Sequence, residues 1–151
     1  MPVDAAFVGR VYPPTAPYEV GREKIREFAD AINDQNPAYR DVEAARALGH
    51  KDVVAPPTFA IVLTLPAGAQ LVADPEAGID YSRVVHGEQR FTHHRPIRAG
   101  DRLVATTTID AARSVAGNDL LTARVDLATE DGEAVCTSLS MLVARGSEET
   151  A

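Results

Sequence analysis

The spacing of hydrophobic residues changes about halfway along the chain. In Gly21–Ile32, the apolar Ile25, Phe28, Ala29 and Ile32 recur at i, i+3, i+4 and i+7. That is one face of a helix, with charged residues on the other. The helix must end before Pro37, because the residue preceding a proline is driven out of the α region. A shorter helix is predicted over Asp41–Leu48, with Asp41 as N-cap and Gly49 in the left-handed position after its end. Next, Ala55–Leu65 is apolar on all sides, the pattern of a buried helix. Pro56 and Pro57 suit its start, where a missing N–H costs nothing. Pro66 is expected to kink or end this helix about one turn early, with helix resuming over Ala67–Val72. A strand over Phe59–Leu65 is the competing reading.

From residue 84 the period becomes two. Leu103, Ala105, Thr107, Ile109 and Ala111 alternate with more polar neighbours, as do Leu121, Ala123, Val125 and Leu127. Val135, Thr137, Leu139, Met141 and Val143 alternate with Cys136, Ser138, Ser140 and Leu142. Val84–His94 makes a further strand. Gly117-Asn118-Asp119 and Glu130-Asp131-Gly132-Glu133 are hairpin turn chemistry. The pattern predicts four antiparallel strands in a meander. Residues 1–19, with Pro13, Pro14 and Pro17, read as an extended leader with a short strand at Phe7–Tyr12. The tail over 146–151 is expected to fray. Helices first and strands afterwards make an α+β chain, read as a single domain over 1–151. The sheet is expected to curl round segment 58–72, leaving open edges that favour pairing with a second copy.

Composition narrows the function. One cysteine in 151 residues, Cys136, excludes an intramolecular disulfide framework. A net charge of −7, no tryptophan and 5% aromatic residues argue against a nucleic-acid binder. No apolar run approaches the roughly 20 residues of a membrane span, and Met1-Pro2-Val3-Asp4 lacks the start of a signal peptide. A cytoplasmic location is the expectation. Dinucleotide, phosphate-loop, serine-hydrolase and zinc-protease motifs are all missing. Cys136 reads as a core or interface residue. Of the four histidines, His93 and His94 are adjacent on a strand and point to opposite faces, so they cannot share one metal. His50 follows a helix end and is expected to be exposed. His86, in His86-Gly87-Glu88-Gln89, is the one flanked by a glycine and a carboxylate. Strict alternation places it with Glu88 and Arg90, opposite Gln89 and Phe91.

Asp34-Gln35-Asn36-Pro37-Ala38-Tyr39, the Pro-Pro-led apolar helix, Val85–Phe91 and His94–Asp101 together resemble the MaoC-like hot-dog dehydratases. These are (3R)-hydroxyacyl-thioester dehydratases and (R)-specific enoyl-thioester hydratases. The likeness covers about residues 5–145 and is closest to the N-terminal-type (FAS1-like) domain of actinobacterial fatty-acid synthesis, including the subunit that pairs with a catalytic partner. The resemblance implies a hot-dog fold: a curled antiparallel sheet wrapped around a central helix. It also implies an acyl-CoA or acyl-ACP substrate, no cofactor or metal, and a homodimer or a heterodimer with a catalytic hot-dog subunit.

The family's catalytic motif is Asp-x-Asn-Pro-x-His. Proton removal beside a thioester carbonyl needs a base near neutrality and a carboxylate to handle the hydroxyl. Asp34, Asn36 and Pro37 match, but Tyr39 stands in the histidine position. The family also offers a backbone N–H to the thioester carbonyl at the central helix's start, where this chain has Pro56 and Pro57, and proline has none. The N–H groups of Thr58 and Phe59 are the remaining candidates. The resemblance therefore implies an acyl-binding subunit, with Asn36, Tyr39, Pro57, Thr58, Phe59 and Gly87 as contacts. The alternatives are a self-sufficient enzyme using Asp34 and His86, and a non-enzymatic acyl-thioester binder. Asp34, Asn36 and Pro37 also fit plain turn-forming roles, and Tyr39 plain packing.

Overall fold

The helical half of the chain forms where its apolar stripes predict it. A computed structural model describes residues 4–146. Helix α1, Arg22–Ala31, buries Ile25 and Ala29, and Phe28 meets Phe59 edge-on with ring centres 5.5 Å apart. Ile32, the last residue of the expected stripe, is instead 45% exposed. The helix ends at Ala31, and Asn33 at φ +57° turns the chain away. Helix α2, Val42–Ala47, is capped as expected. The Asp41 carboxylate accepts from the Glu43 and Ala44 N–H groups, and Gly49 lies at φ +90°.

A 3-10 turn, Pro57–Ala60, leads into α3, Ile61–Ala73. The expected break at Pro66 does not occur: α3 runs through it. Pro66 lies on the outer, exposed side beside Leu65, where water can reach the carbonyl deprived of its partner. The expected burial on all sides is also corrected. Leu63, Thr64, Ala67 and Leu71 are buried, whereas Leu65 is 54% exposed, because a single sheet covers one side of a helix.

Five strands form the sheet: β1 Tyr18–Glu19, β2 Val84–His93, β3 Arg102–Val115, β4 Asn118–Thr129 and β5 Ala134–Ala144. Their order is β1-β3-β4-β5-β2, antiparallel throughout, curled round α3 as a hot-dog fold. The simple meander is thus corrected: β2 pairs with β5 at the far edge rather than with β3. The segment after β2 contains Pro96 and bridges Val54 through Arg98, which carries the chain out of the sheet. The β3–β4 turn is Ala116-Gly117, both at positive φ, one residue before the expected turn. The expected strand at Phe7–Tyr12 is a 3-10 turn at Ala5–Phe7 and a single bridge from Val11 to Thr108. The leader still follows β3, with the Gly9, Tyr12 and Thr15 N–H groups donating to the Ile109, Thr107 and Ala105 carbonyls. Its prolines keep it from becoming a regular strand. The frayed tail expected over 146–151 lies, from 147 onward, outside the described residues.

Side-chain direction breaks strict alternation at two bulges, and on β5 the inward set is the opposite of the expected one. Leu103, Ala105, Thr107 and Ile109 face inward as expected, but a bulge after Ile109 leaves Ala111 exposed. On β5 the inner face carries Cys136, Ser138, Ser140 and Leu142, opposite Leu127, Val125, Ala123 and Leu121 of β4. The more apolar set, Leu139, Met141 and Val143, is half-buried on the outer face. On β2 a bulge between His86 and Glu88 resets the phase. His86 therefore joins Gln89, Phe91 and His93, opposite Leu142, Ser140, Ser138 and Cys136. Gly87 makes the bulge possible, since a Cβ there would lie 2.8 Å from Met141 Cε and 3.1 Å from Val143 Cγ2.

Candidate functional site

Two hollows open along α3, and β2 supplies a histidine to each. The larger, about 540 Å³, lies at the start of the helix. One wall is the 3-10 turn Pro37–Tyr39, and the others come from Leu48–His50, Val54–Pro57 and His93–Ile97. The smaller, about 50 Å³, lies between the middle of α3 and the sheet and holds His86, Gln89 and Thr64.

The first wall is built by side chains that cap their own backbone. The Asp34 carboxylate accepts from the Asn36 N–H at 3.1 Å, and Asn36 Oδ1 accepts from the Ala38 N–H at 3.0 Å. Arg40 donates to the Asp34 carbonyl at 2.7 Å, holding the turn from behind. One lone pair of the Asn36 oxygen is thus engaged, and Asn36 keeps its NH₂ and the oxygen's second lone pair. Tyr39 is 9% exposed. Burial, then the negative charge of Asp34, pushes its phenol pKa upward. At neutral pH it is an uncharged O–H donor and not a base.

The opposite wall is set by the Pro-Pro turn. The Phe59 N–H donates to the Pro56 carbonyl at 2.9 Å and is thereby spent. Its ring is fully buried beneath the cleft. Thr58 is exposed, and its N–H makes no hydrogen bond among the described residues. Of the two amides singled out at this helix start, the Thr58 N–H is the one left free. The Pro57 carbonyl lies 2.7 Å from His93 Nε2. His94 Nε2 lies 3.1 Å from Thr137 Oγ1, whose hydroxyl donates to Asp126. Arg95, at the rim, makes paired 2.9 Å bonds to Asp101 and also meets Glu133.

The structure thus brings Asn36, Tyr39 and Pro57 together around one cleft, with Asp34 in the turn that shapes it. His86 does not line that cleft; within one protomer it belongs to the smaller hollow. Gly87 lines neither hollow and packs against Met141 and Val143. Two cleft residues were missed from the sequence. His50, expected to be exposed, is half-buried in the wall. His93 is read from the sequence only as a candidate metal ligand; it shares the face of Gln89 and Phe91, and the pairing of β2 with β5 brings that face to the cleft. Burial raises the Cys136 thiol pKa to about 11, as fits a core thiol. Among the described residues no group of three or more His, Cys, Asp or Glu is placed to hold a metal, and no helix is long and apolar enough to cross a membrane.

A family model described as FAS1-like, dehydratase domain region, matches residues 6–138. The chain belongs to this dehydratase-region family. A UPF0336 protein of Streptomyces coelicolor is 60% identical over 149 residues, 99% of each chain. Among solved structures similar to this dehydratase-region chain is the HadBC (3R-hydroxyacyl-ACP dehydratase) complex from Mycobacterium tuberculosis. The match has 33% identity and a TM-score of 0.81, over 91% of this chain and 96% of that one. A MaoC-like dehydratase superimposes with a TM-score of 0.87 and 36% identity over 95% of this chain. The present chain spans 44% of that protein's length. Membership of the MaoC-like dehydratase family and the hot-dog fold, both expected from the sequence, are borne out.

Proposed function

We propose that this chain is a component of a (3R)-hydroxyacyl-thioester dehydratase and acts as its acyl-binding subunit. It would work as one cytoplasmic domain beside a second hot-dog subunit that carries an intact Asp/His pair. One observation carries the reading. The cleft keeps the turn built by Asp34, Asn36 and Pro37, while its histidine position holds a buried, neutral tyrosine. Such a site can hold a thioester carbonyl with donors, yet it lacks the family's base at that position. The similar HadBC protein is described as a complex, and β2, an edge strand of ten mostly exposed residues, suits pairing with another subunit. The substrate is an acyl-CoA or acyl-ACP thioester.

The test is a hydration assay with crotonyl-CoA, run on the purified chain alone and with a hot-dog subunit containing Asp-x-Asn-Pro-x-His. Activity is expected from the pair only. Turnover by the chain alone, abolished by Asp34→Asn, would replace this reading with that of a self-sufficient enzyme.

A further inference from the structure

A hydroxyl sealed inside a protein ordinarily finds a partner, because leaving one unpaired costs free energy. Among the described residues, two buried side-chain polar atoms have none: Arg40 Nε and Thr64 Oγ1. The Arg40 guanidinium is otherwise bonded, through Asp30 and the Asp34 carbonyl. Thr64 is 4% exposed in the middle of α3, and its hydroxyl does not make the bond to a carbonyl one turn back that a mid-helix threonine commonly makes. It lines the smaller hollow, away from the cleft.

The sheet faces Thr64 with more of the same chemistry. β5 turns Ser138 and Ser140 toward α3 and leaves Leu139, Met141 and Val143 half-buried outside, the reverse of what burial alone favours. Ser138 is 1% exposed, and its Oγ lies 2.8 Å from Gln89 Nε2. Hydroxyl and amide each keep hydrogen-bonding capacity beyond that one bond. The remaining walls are apolar, chiefly Ile61, Leu71, Val125 and Leu142, and no Asp, Glu, Lys or Arg among the described residues lines the hollow. Leu65 and Tyr81, 54% and 43% exposed, mark its mouth. At about 50 Å³ it has room for roughly three to five water-sized groups.

We propose that this hollow is a second binding site, which takes the hydroxyl end of an uncharged aliphatic chain. The Thr64 hydroxyl, with Ser138 and Ser140 across from it, both gives and receives hydrogen bonds, as a ligand hydroxyl does. The first carbons of the chain lie against Ile61, Leu71 and Val125, and the rest leaves past Leu65 and Tyr81. A carboxylate or ammonium end is rejected, because no Asp, Glu, Lys or Arg of the lining offsets its desolvation. The hollow shares no lining residue with the cleft, so the proposal goes beyond the thioester reading and does not rest on it.

The probes are 1-hexanol, hexanoate and hexylammonium, one chain with three different ends. They are titrated into the full chain at pH 8, where an ordinary histidine is neutral. Binding is followed by the methyl shifts of Ile61, Leu71, Val125 and Leu142 in the hollow, and of Val54 and Ile97 in the cleft. With 1-hexanol, saturable shifts are expected in the hollow alone; the charged pair should give none in the same concentration range. Thr64→Val keeps the shape of the side chain and removes its hydroxyl. It is expected to bind 1-hexanol about fivefold more weakly, the worth of one net hydrogen bond. It should nevertheless be at least as stable as wild type in urea, since what it loses is an unpaired hydroxyl. Thr64→Ser keeps the hydroxyl and is expected to bind more tightly than Thr64→Val. Failure of the wild type to saturate, which would leave the hollow to water only, overturns the proposal, as do shifts confined to the cleft. Equal binding of either charged probe, unchanged affinity in Thr64→Val, or as large a loss in Thr64→Ser also overturns it. So does a Thr64→Val chain clearly less stable than wild type, because the hydroxyl would then have a partner inside the protein. The crotonyl-CoA assay reports on the cleft alone, so its failure and the failure of this site are told apart.

Discussion

The two ends of α3 are held by opposite chemistry. At its start, a single hydrogen bond from His93 meets the Pro57 carbonyl beside an open cleft. At its far end Asp74 is ringed by partners. It accepts from Tyr12 at 2.8 Å and pairs with Arg10 at 2.7 Å, while Arg10 also reaches Glu76. Phe7, Leu71 and Ala77 pack beneath that network, and the Arg10 guanidinium sits 4.2 Å above the Phe7 ring. The closed end fastens the leader to the body. The open end leaves the Thr58 N–H without a partner among the described residues, next to a cleft open to a ligand. Rigidity at one end and unspent hydrogen-bonding capacity at the other are compatible because a large apolar cluster underlies the cleft.

That support is the first place to break the comparison. Phe59 is fully buried, facing the core and not the cleft, and packs on Phe28 from α1. Phe59→Ala is expected to lower stability by about 3–5 kcal/mol, the usual cost of emptying a buried aromatic site. Urea unfolding measures it. The cleft should lose its shape with its floor, so thioester binding should fall in the same variant. A loss under about 1 kcal/mol would mean that the site collapses easily and that the open end is not held from below.

The next largest effect is expected at Gly87. A valine there drives its side chain into Met141 and Val143. Gly87→Val should cost about 1–3 kcal/mol through overpacking. It should also disturb the bulge that brings His86 onto the face of Gln89, Phe91 and His93. The His86 imidazole nitrogen shifts should move in this variant although residue 87 lines neither hollow. Unchanged shifts would separate the bulge from the histidine's direction.

Gly87 also marks where the sequence stops being legible. The three main strands, the capped α2 and the apolar character of α3 follow from local period and local turn chemistry. So does the inner face of β4. The order of the strands does not, because joining β2 to β5 depends on how the whole sheet curls. On β5 both alternating sets contain apolar residues, so period alone does not say which set meets α3; the register with β4 decides it. The turn at Asp34–Tyr39 was readable, since Asp and Asn cap their own neighbours. Pairing Asp34 with His86 required a strand phase that one extra residue reverses. His93 keeps the phase with Gln89 and Phe91 that alternation gives it, and its place in the cleft follows from the pairing of β2 with β5.

The closed end gives the smallest effect and a test by pH. The Tyr12 hydrogen bond, with help from Arg10, holds the Asp74 carboxyl below its ordinary 3.8. A depressed carboxyl adds stability above that ordinary value and loses it as pH falls through the folded-state value. Asp74→Asn should therefore be less stable than wild type at neutral pH, with the gap closing on acidification below the carboxylate range. Tyr12 has the opposite sign: burial, then the bond to Asp74, raises its phenol from 10.0 to about 12. The unfolded chain ionises first, so stability drains away as pH climbs between those two values. Tyr12→Phe should shallow that alkaline slope without abolishing it, because the buried Tyr39 phenol is raised as well. Thermal unfolding across pH measures both limbs. Neither substitution should alter thioester binding at the open end, since the two ends share no side chain. A change in that binding would mean that the leader's anchorage reaches the cleft through α3, and the ends would then have to be treated as one unit.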